Sequence, residues 1–209
     1  MMLTDAQAMV DTMARMQDDH NRQVHPEWRA QGYAYYRAVW VECAELLDHF
    51  GWKWWKHQQP DGDQVKLELV DIWHFGLSDL MRAGTLDDEV AQRLAAVDGA
   101  AAGGGETFRV AVEALAQQTL SDRAFALGPF VAALQSLPLP LPELFRLYVG
   151  KNVLNHFRQD NGYKTGEYRK LWQGREDNAH LVEVLEHLRC PPQDMPAEVY
   201  AALAQRYQA

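Results

Sequence analysis

Glu42 and Glu45 stand three residues apart, in a segment whose apolar positions run through Val39, Leu46 and Phe50. Glu68 and Asp71 are spaced the same way, beside Leu67, Ile72 and Phe75. Residues three apart share a helix face, so each pair projects two carboxylates in one direction, next to side chains that belong in a core. The connection from Gly51 to Asp63 is short enough for the two helices to pack antiparallel, which brings four acids toward one point. Two carboxylates about 5 Å apart repel by roughly 3 kcal/mol at an effective dielectric of 20, so such a cluster calls for protons or a cation. An all-oxygen ligand set favours a hard ion, Mg²⁺ first and Mn²⁺ second. Such an ion can activate water and neutralise charge on a leaving phosphate. Among the acids, Glu45 is the preferred general base, with Glu42 the other catalytic candidate. A single pair of this kind is common on solvated helix faces; two pairs on consecutive helices, both flanked by core positions, favour a site.

A second constellation runs from Tyr148 to Asn178. Lys151, Asn155 and Arg158 are spaced by four and three, a polar stripe on one helix face; Tyr163, Lys164, Tyr168 and Lys170 follow, and Asp177 and Asn178 close the segment. Lys and Arg bind phosphate as point charge and fork, while Tyr and Asn add neutral hydrogen bonds. The chain carries a net charge of -9, yet the window 151–175 holds six positive and two negative residues, +4, leaving -13 elsewhere. That balance argues against binding long nucleic acids and for a small polyanion. The bland alternative is a solvated basic face. The third cluster, GWKWWK at Gly51 to Lys56, has too many tryptophans for one helix stripe. Some of them face a base, a second subunit or solvent. Gln17, Asn21 and His74 complete the polar candidates.

The elements that position these residues read as helices nearly throughout, since apolar residues recur at steps of three and four and β-branched residues do not alternate. Helices are expected at 4–19, 27–49, 64–83, 87–97, 106–119, 121–136, 142–159, 177–189 and 196–207. Asp63 is the expected N-cap of the third, and Pro142 suits the first turn of the seventh. Residues 98–105 (DGAAAGGG) read as a flexible linker, and Leu137 to Pro142 (LPLPLP) as a stiff extended link. The stretch 160–176, rich in Gly, Tyr and Lys, reads as a long loop, a feature that in a compact domain is usually either mobile or functional. With 209 residues, 47% hydrophobic and 23% charged, one all-α domain spanning 1–209 is expected. No apolar run reaches membrane-spanning length and no secretory signal is evident. Cys43 and Cys190 match no metal spacing, which makes a reducing cytoplasmic setting the default.

In order along the chain, Gln17 with Asn21, ECAEL at Glu42, GWKWWK, ELVDIWHF at Glu68, and GKNVLNHFRQDNGYKTGEYRKLW with EDN at Gly150 to Asn178 resemble the motifs of the dimeric all-α dUTPases. Those enzymes belong to the all-α NTP pyrophosphatase superfamily, and the likeness covers about the first 80 residues and 148–178. It implies a multi-helix bundle, a homodimer, and Mg²⁺ held by Glu42, Glu45, Glu68 and Asp71. It implies that Gln17, Asn21 (or His20 beside it), His74 and one of Trp52 or Trp54 surround uracil, with Phe75 near the deoxyribose. It implies that Lys151, Asn155, Arg158, Tyr163, Lys164, Lys170 and Asn178 hold phosphates. The implied reaction splits dUTP to dUMP and pyrophosphate, with dUDP also accepted, in keeping with attack at the β-phosphorus. Rival readings are a related enzyme for another nucleotide such as dCTP, a helical dimer that binds nucleotide without turnover, and a purely structural bundle.

Overall fold

The computed structural model describes residues 2–99, 104–191 and 194–208, which form two compact units divided between Phe145 and Arg146. In the first unit, helices α1 (Leu3–Val24), α2 (Tyr35–Phe50), α3 (Gly62–Ala83), α4 (Asp88–Ala95), α5 (Gly105–Asp122) and α6 (Leu127–Ser136) follow in sequence. The helix α7 (Leu141–Asp160) starts in this unit and runs most of its length in the second.

The most deeply buried of these helices is α3. It packs on α2 and α1, while α5 packs on α2 and α6, and α1 on α4. Apolar residues all round α3 explain its position, since such a helix must be covered on every side. At its centre Trp73 stacks on Phe130 with ring centroids 5.4 Å apart, meets Phe125 at 6.0 Å, and directs its indole N–H at the Met13 sulfur. A buried aromatic of this size is among the largest single apolar contributions a core can contain.

Several boundaries differ from the sequence reading. The expected helix 27–49 is a 3₁₀ turn at Trp28–Ala30 followed by α2 from Tyr35. Gly32 between them adopts φ +67°, a left-handed backbone that interrupts a right-handed helix. The first helix runs on to Val24. The N-cap of α3 is Asp61, whose carboxylate accepts from the Gln64 backbone N–H at 3.2 Å; Asp63 lies in the first turn instead. Arg123, at φ 53°, ends α5 three residues before the cap of α6. Of the expected linker 98–105, residues 100–103 lie outside the described residues. Asp98 is tied to Gln135, and Gly104 precedes the first turn of α5. Pro142 sits in the first turn of α7, as its ring geometry favours.

The second unit contains the rest of α7, a short antiparallel pair of β1 (Leu171–Trp172) and β2 (Arg175–Glu176), and helices α8 (Asp177–His187) and α9 (Met195–Gln208). The strands pair Leu171 with Glu176 and Trp172 with Arg175, so the end of the expected loop is a hairpin. Gln173 and Gly174 both have positive φ, the twist that a two-residue hairpin turn requires. Phe157 of α7 is ringed by Trp172, Tyr200 and Tyr207, with centroids 5.3–5.7 Å away. Among the described residues the chain is therefore all-α apart from this ribbon. No helix among the described residues is long and apolar enough to cross a membrane.

Candidate active site

Glu42 on α2 and Glu68 and Asp71 on α3 each offer a carboxylate oxygen within 4.8 Å of the other two. The helices run antiparallel there. As α2 advances from Glu42 to His49, its neighbour on α3 retreats from Asp71 to Glu68, and His49 Nε2 lies 3.6 Å from the Glu68 carboxylate. Glu68 is buried, whereas Glu42 and Asp71 are partly exposed, which leaves one side of the cluster open. Burial first, then the charge of Asp71 and a hydrogen bond with Glu68, lift the Glu42 carboxyl well above the usual carboxylate range. Three carboxylates gathered this closely are the donor set a divalent cation relieves, and all their donors are hard oxygens. Glu45 does not complete the trio. It is exposed, and its charge adds a smaller repulsion at Glu42. His49 was missing from the sequence reading, although it lies seven residues after Glu42 and so on the same helix face.

Farther along α3, a second polar group is built across two helices. Gln17 and Asn21 on α1 are four residues apart, as are His74 and Ser78 on α3, and all four are buried. Gln17 Nε2 donates to Asn21 Oδ1 at 3.1 Å, Asn21 Nδ2 donates to Ser78 Oγ at 2.9 Å, and the Ser78 hydroxyl donates to the His74 carbonyl at 2.9 Å. Gln17 Oε1 lies 2.6 Å from His74 Nδ1. Asn21, which the spacing left open against His20, is thus the residue bonded to Gln17. Ser78 is new. From Asp71 to Ser78 is seven residues, about 10 Å of helix rise, the length of a nucleoside with its first phosphate. Phe75, half-buried, lies between them on the same face.

Trp52 and Trp54 lie elsewhere on the first unit. They are 47% and 90% exposed, and each packs edge-on against Trp55. With Lys53, Lys56, His57 and Arg109 they line an open groove of about 790 Å³, and none of the three clustered acids lines it. The Gln58 side chain fixes this loop, accepting from the backbone N–H groups of Trp52 and Lys53.

In the second unit the expected phosphate ligands separate into two sets. Lys151, Asn155, Arg158 and Asn178 converge. Arg158 forks onto Asp177 at 2.8 and 2.9 Å and bonds Asn155 at 3.2 Å, and Lys151 Nζ donates to Asn178 at 3.0 Å. Tyr163, Lys164 and Lys170 are exposed on the segment that follows α7; Lys170 pairs with Glu176 at 3.5 Å. The organiser of the first set is Asp177, fully buried, which also accepts from the Tyr168 hydroxyl at 2.7 Å and from the Asn178 backbone N–H at 2.8 Å. Burial alone would raise its pKa, but Arg158 and then Tyr168 outweigh it and hold the carboxyl below its ordinary value. The sequence hint was the acid itself, seated at the first position of a helix at the end of a basic segment.

A family model for dUTPase matches residues 9–163, three quarters of the chain and every candidate named here except Lys164, Tyr168, Lys170, Asp177 and Asn178. A comparison with curated proteins gives no match.

Proposed function

The chain belongs to the dUTPase family, a family of dUTP-hydrolysing enzymes, and on that premise we propose a Mg²⁺-dependent hydrolysis of dUTP, and of dUDP, to dUMP. The observation that carries this reading is the trio Glu42, Glu68 and Asp71 within 4.8 Å. These three are assigned to the metal, with Glu45 a further ligand or the base. When bound, Mg²⁺ supplies positive charge to phosphate oxygens and makes water more acidic. Glu45, exposed to solvent one turn beyond Glu42, takes the proton of the attacking water. Attack at the β-phosphorus breaks its bond to the bridging oxygen, which leaves with dUMP; the remaining product is pyrophosphate from dUTP and phosphate from dUDP.

Gln17, Asn21 and His74 are assigned to uracil and Phe75 to the deoxyribose, an assignment supported by His74 and Phe75 following Asp71 on α3 and by Gln17 meeting His74 from α1. Lys151, Asn155, Arg158, Tyr163, Lys164, Lys170 and Asn178 are assigned to the phosphates. Residues 1–209 are taken as one functional domain, since the family match runs through the division at Phe145. A homodimer is proposed, with Trp52, Trp54 and Trp55 exposed enough to serve as contacts to a partner or to the base. A cytoplasmic, reducing setting accords with two cysteines that remain unpaired.

The test is pyrophosphate release from a panel of nucleoside triphosphates with and without Mg²⁺, on wild type and Glu45→Gln. Preference for dUTP, dependence on Mg²⁺, and loss of turnover in Glu45→Gln with nucleotide still bound are expected. Equal activity without divalent ions, or a preference for dCTP, overturns the corresponding part. Light scattering that reads 23.8 kDa instead of twice that overturns the dimer.

A further inference from the structure

Two tyrosines of α9 grip both ends of the segment 161–168, which carries Tyr163 and Lys164. Tyr200 and Tyr207 are seven residues apart, so they share a helix face with about 10 Å of rise between them. The Tyr200 hydroxyl donates to Asp160 Oδ2 at 2.8 Å, where α7 ends. At the other end, the Tyr207 hydroxyl accepts from the Arg169 backbone N–H at 3.3 Å, and the Tyr207 carbonyl accepts from the Arg169 guanidinium at 3.0 Å. The Tyr207 ring stacks on Tyr168, at 10° with centroids 5.6 Å apart, and the Arg169 guanidinium sits 4.9 Å from its centroid. The Arg169 carbonyl accepts in turn from the Trp172 indole N–H at 2.6 Å. Both backbone groups of the residue between Tyr168 and Lys170 are therefore fixed. The helix that does this is itself fastened, because Glu183 of α8 accepts from Arg206, beside Tyr207, and from Arg175 of the hairpin.

Resting on the assignment of Tyr163, Lys164 and Lys170 to the phosphates, we infer that α9 is a strap that sets the span of this segment, with Tyr207 and Tyr200 as its positioning residues. Residues 163–167 are all exposed, so the segment is not held in shape by burial and its placement depends on how its ends are tied. An exposed lysine has a flexible four-carbon stem, and it holds a phosphate better when the backbone beneath it is placed beforehand, since less ordering is left for the binding step. Tyr207 supplies that placement next to Lys170, and Tyr200 supplies it where α7 gives way to the segment. Tyr168, against which Tyr207 stacks, also donates its hydroxyl to Asp177, the carboxylate onto which Arg158 forks. The family match ends at residue 163 and gives α9 no role.

Hydrogen–deuterium exchange and steady-state kinetics with Mg²⁺, both on the full chain, test the strap. Tyr207→Ala is expected to speed amide exchange across 161–170 by about tenfold while leaving exchange in α8 unchanged. It is also expected to raise the KM for dUTP and the inhibition constant of pyrophosphate by about tenfold, the worth of one hydrogen bond with its ring packing, with kcat changing less than KM. Inhibition by deoxyuridine, which has no phosphate, should stay as it is. Tyr207→Phe and Tyr200→Phe each remove a single hydroxyl and keep the rings, and each should reproduce part of both effects. Unchanged exchange across 161–170 in a folded Tyr207→Ala overturns the inference. So does a pyrophosphate constant that rises no more than that of deoxyuridine, because a ligand without phosphate then feels the change equally. Should Tyr207→Ala not fold, the two Phe variants decide by the same readouts. If Lys164→Ala and Lys170→Ala both leave pyrophosphate inhibition unchanged, the assignment of the segment to phosphates fails, while the exchange rates still judge whether α9 holds it in place.

Discussion

Glu68 has Glu42 and Asp71 within 4.8 Å and is 5% exposed, so its charge meets repulsion that water screens poorly. Glu68→Gln should therefore stabilise the metal-free protein, by roughly 2–4 °C in melting temperature for each kcal/mol of repulsion removed in a chain of this size. If the proposed Mg²⁺ site holds, Mg²⁺ should raise the melting temperature of wild type, and the same substitution should abolish that rise and lower kcat/KM by more than the roughly 100-fold typical of changes outside the ligand shell. A calorimetric scan with and without Mg²⁺ checks both, and an unchanged Mg²⁺ response would remove Glu68 from the metal site. Asp177 has the opposite character, because four donors satisfy its carboxylate. Asp177→Asn leaves Arg158, 14% exposed, without its counter-charge, and should cost about 3–5 kcal/mol in denaturant unfolding. Because the folded protein holds this carboxyl below its ordinary 3.8, its contribution is complete above that pH and is lost as the pH falls through the folded-state value. Stability measured from pH 6 downward should thus fall less steeply for Asp177→Asn than for wild type.

At the scale of the helix, repeating spacing was easy to read and its punctuation was not. The pair Glu68 and Asp71 could be placed on one face because α3 runs unbroken through them. Its start was misplaced by two residues: both Asp61 and Asp63 are good caps by type, and only the backbone turn at Asp61 decides between them. Asp61→Ala should cost α3 about 1 kcal/mol, and Asp63→Ala, which removes only a favourable charge in the first turn, less than that. Equal losses in urea unfolding would contradict the observed cap. Similarly, the periodicity that suggested a helix from residue 27 holds across Gly32, whose left-handed backbone no pattern of apolar residues announces. The hairpin at 171–176 was hidden for a related reason, since strands of two residues are too short for any alternation to register.

Across the whole molecule, the charge of -9 with a +4 window predicts discrimination by ligand size. Pyrophosphate should inhibit competitively, with an inhibition constant that rises with salt, while long single-stranded DNA should show no measurable binding in the same buffer; tight DNA binding would contradict the charge argument. Local chemistry was legible in the chain: which residues are acids, that they recur three apart, and that the intervening positions are apolar. Those facts set the helical class and the carboxylate pairs, because helix geometry converts spacing directly into shared faces. Distance between elements was not legible. Only the packing of α2 on α3 separates Glu42, which joins the trio, from Glu45, which stays exposed three residues later. Only the packing of α1 on α3 brings Ser78 to Asn21, 57 residues away in the chain. Which side chain meets which is set by the rotation of one helix against another, and that rotation is decided by the fit of buried side chains from both at once.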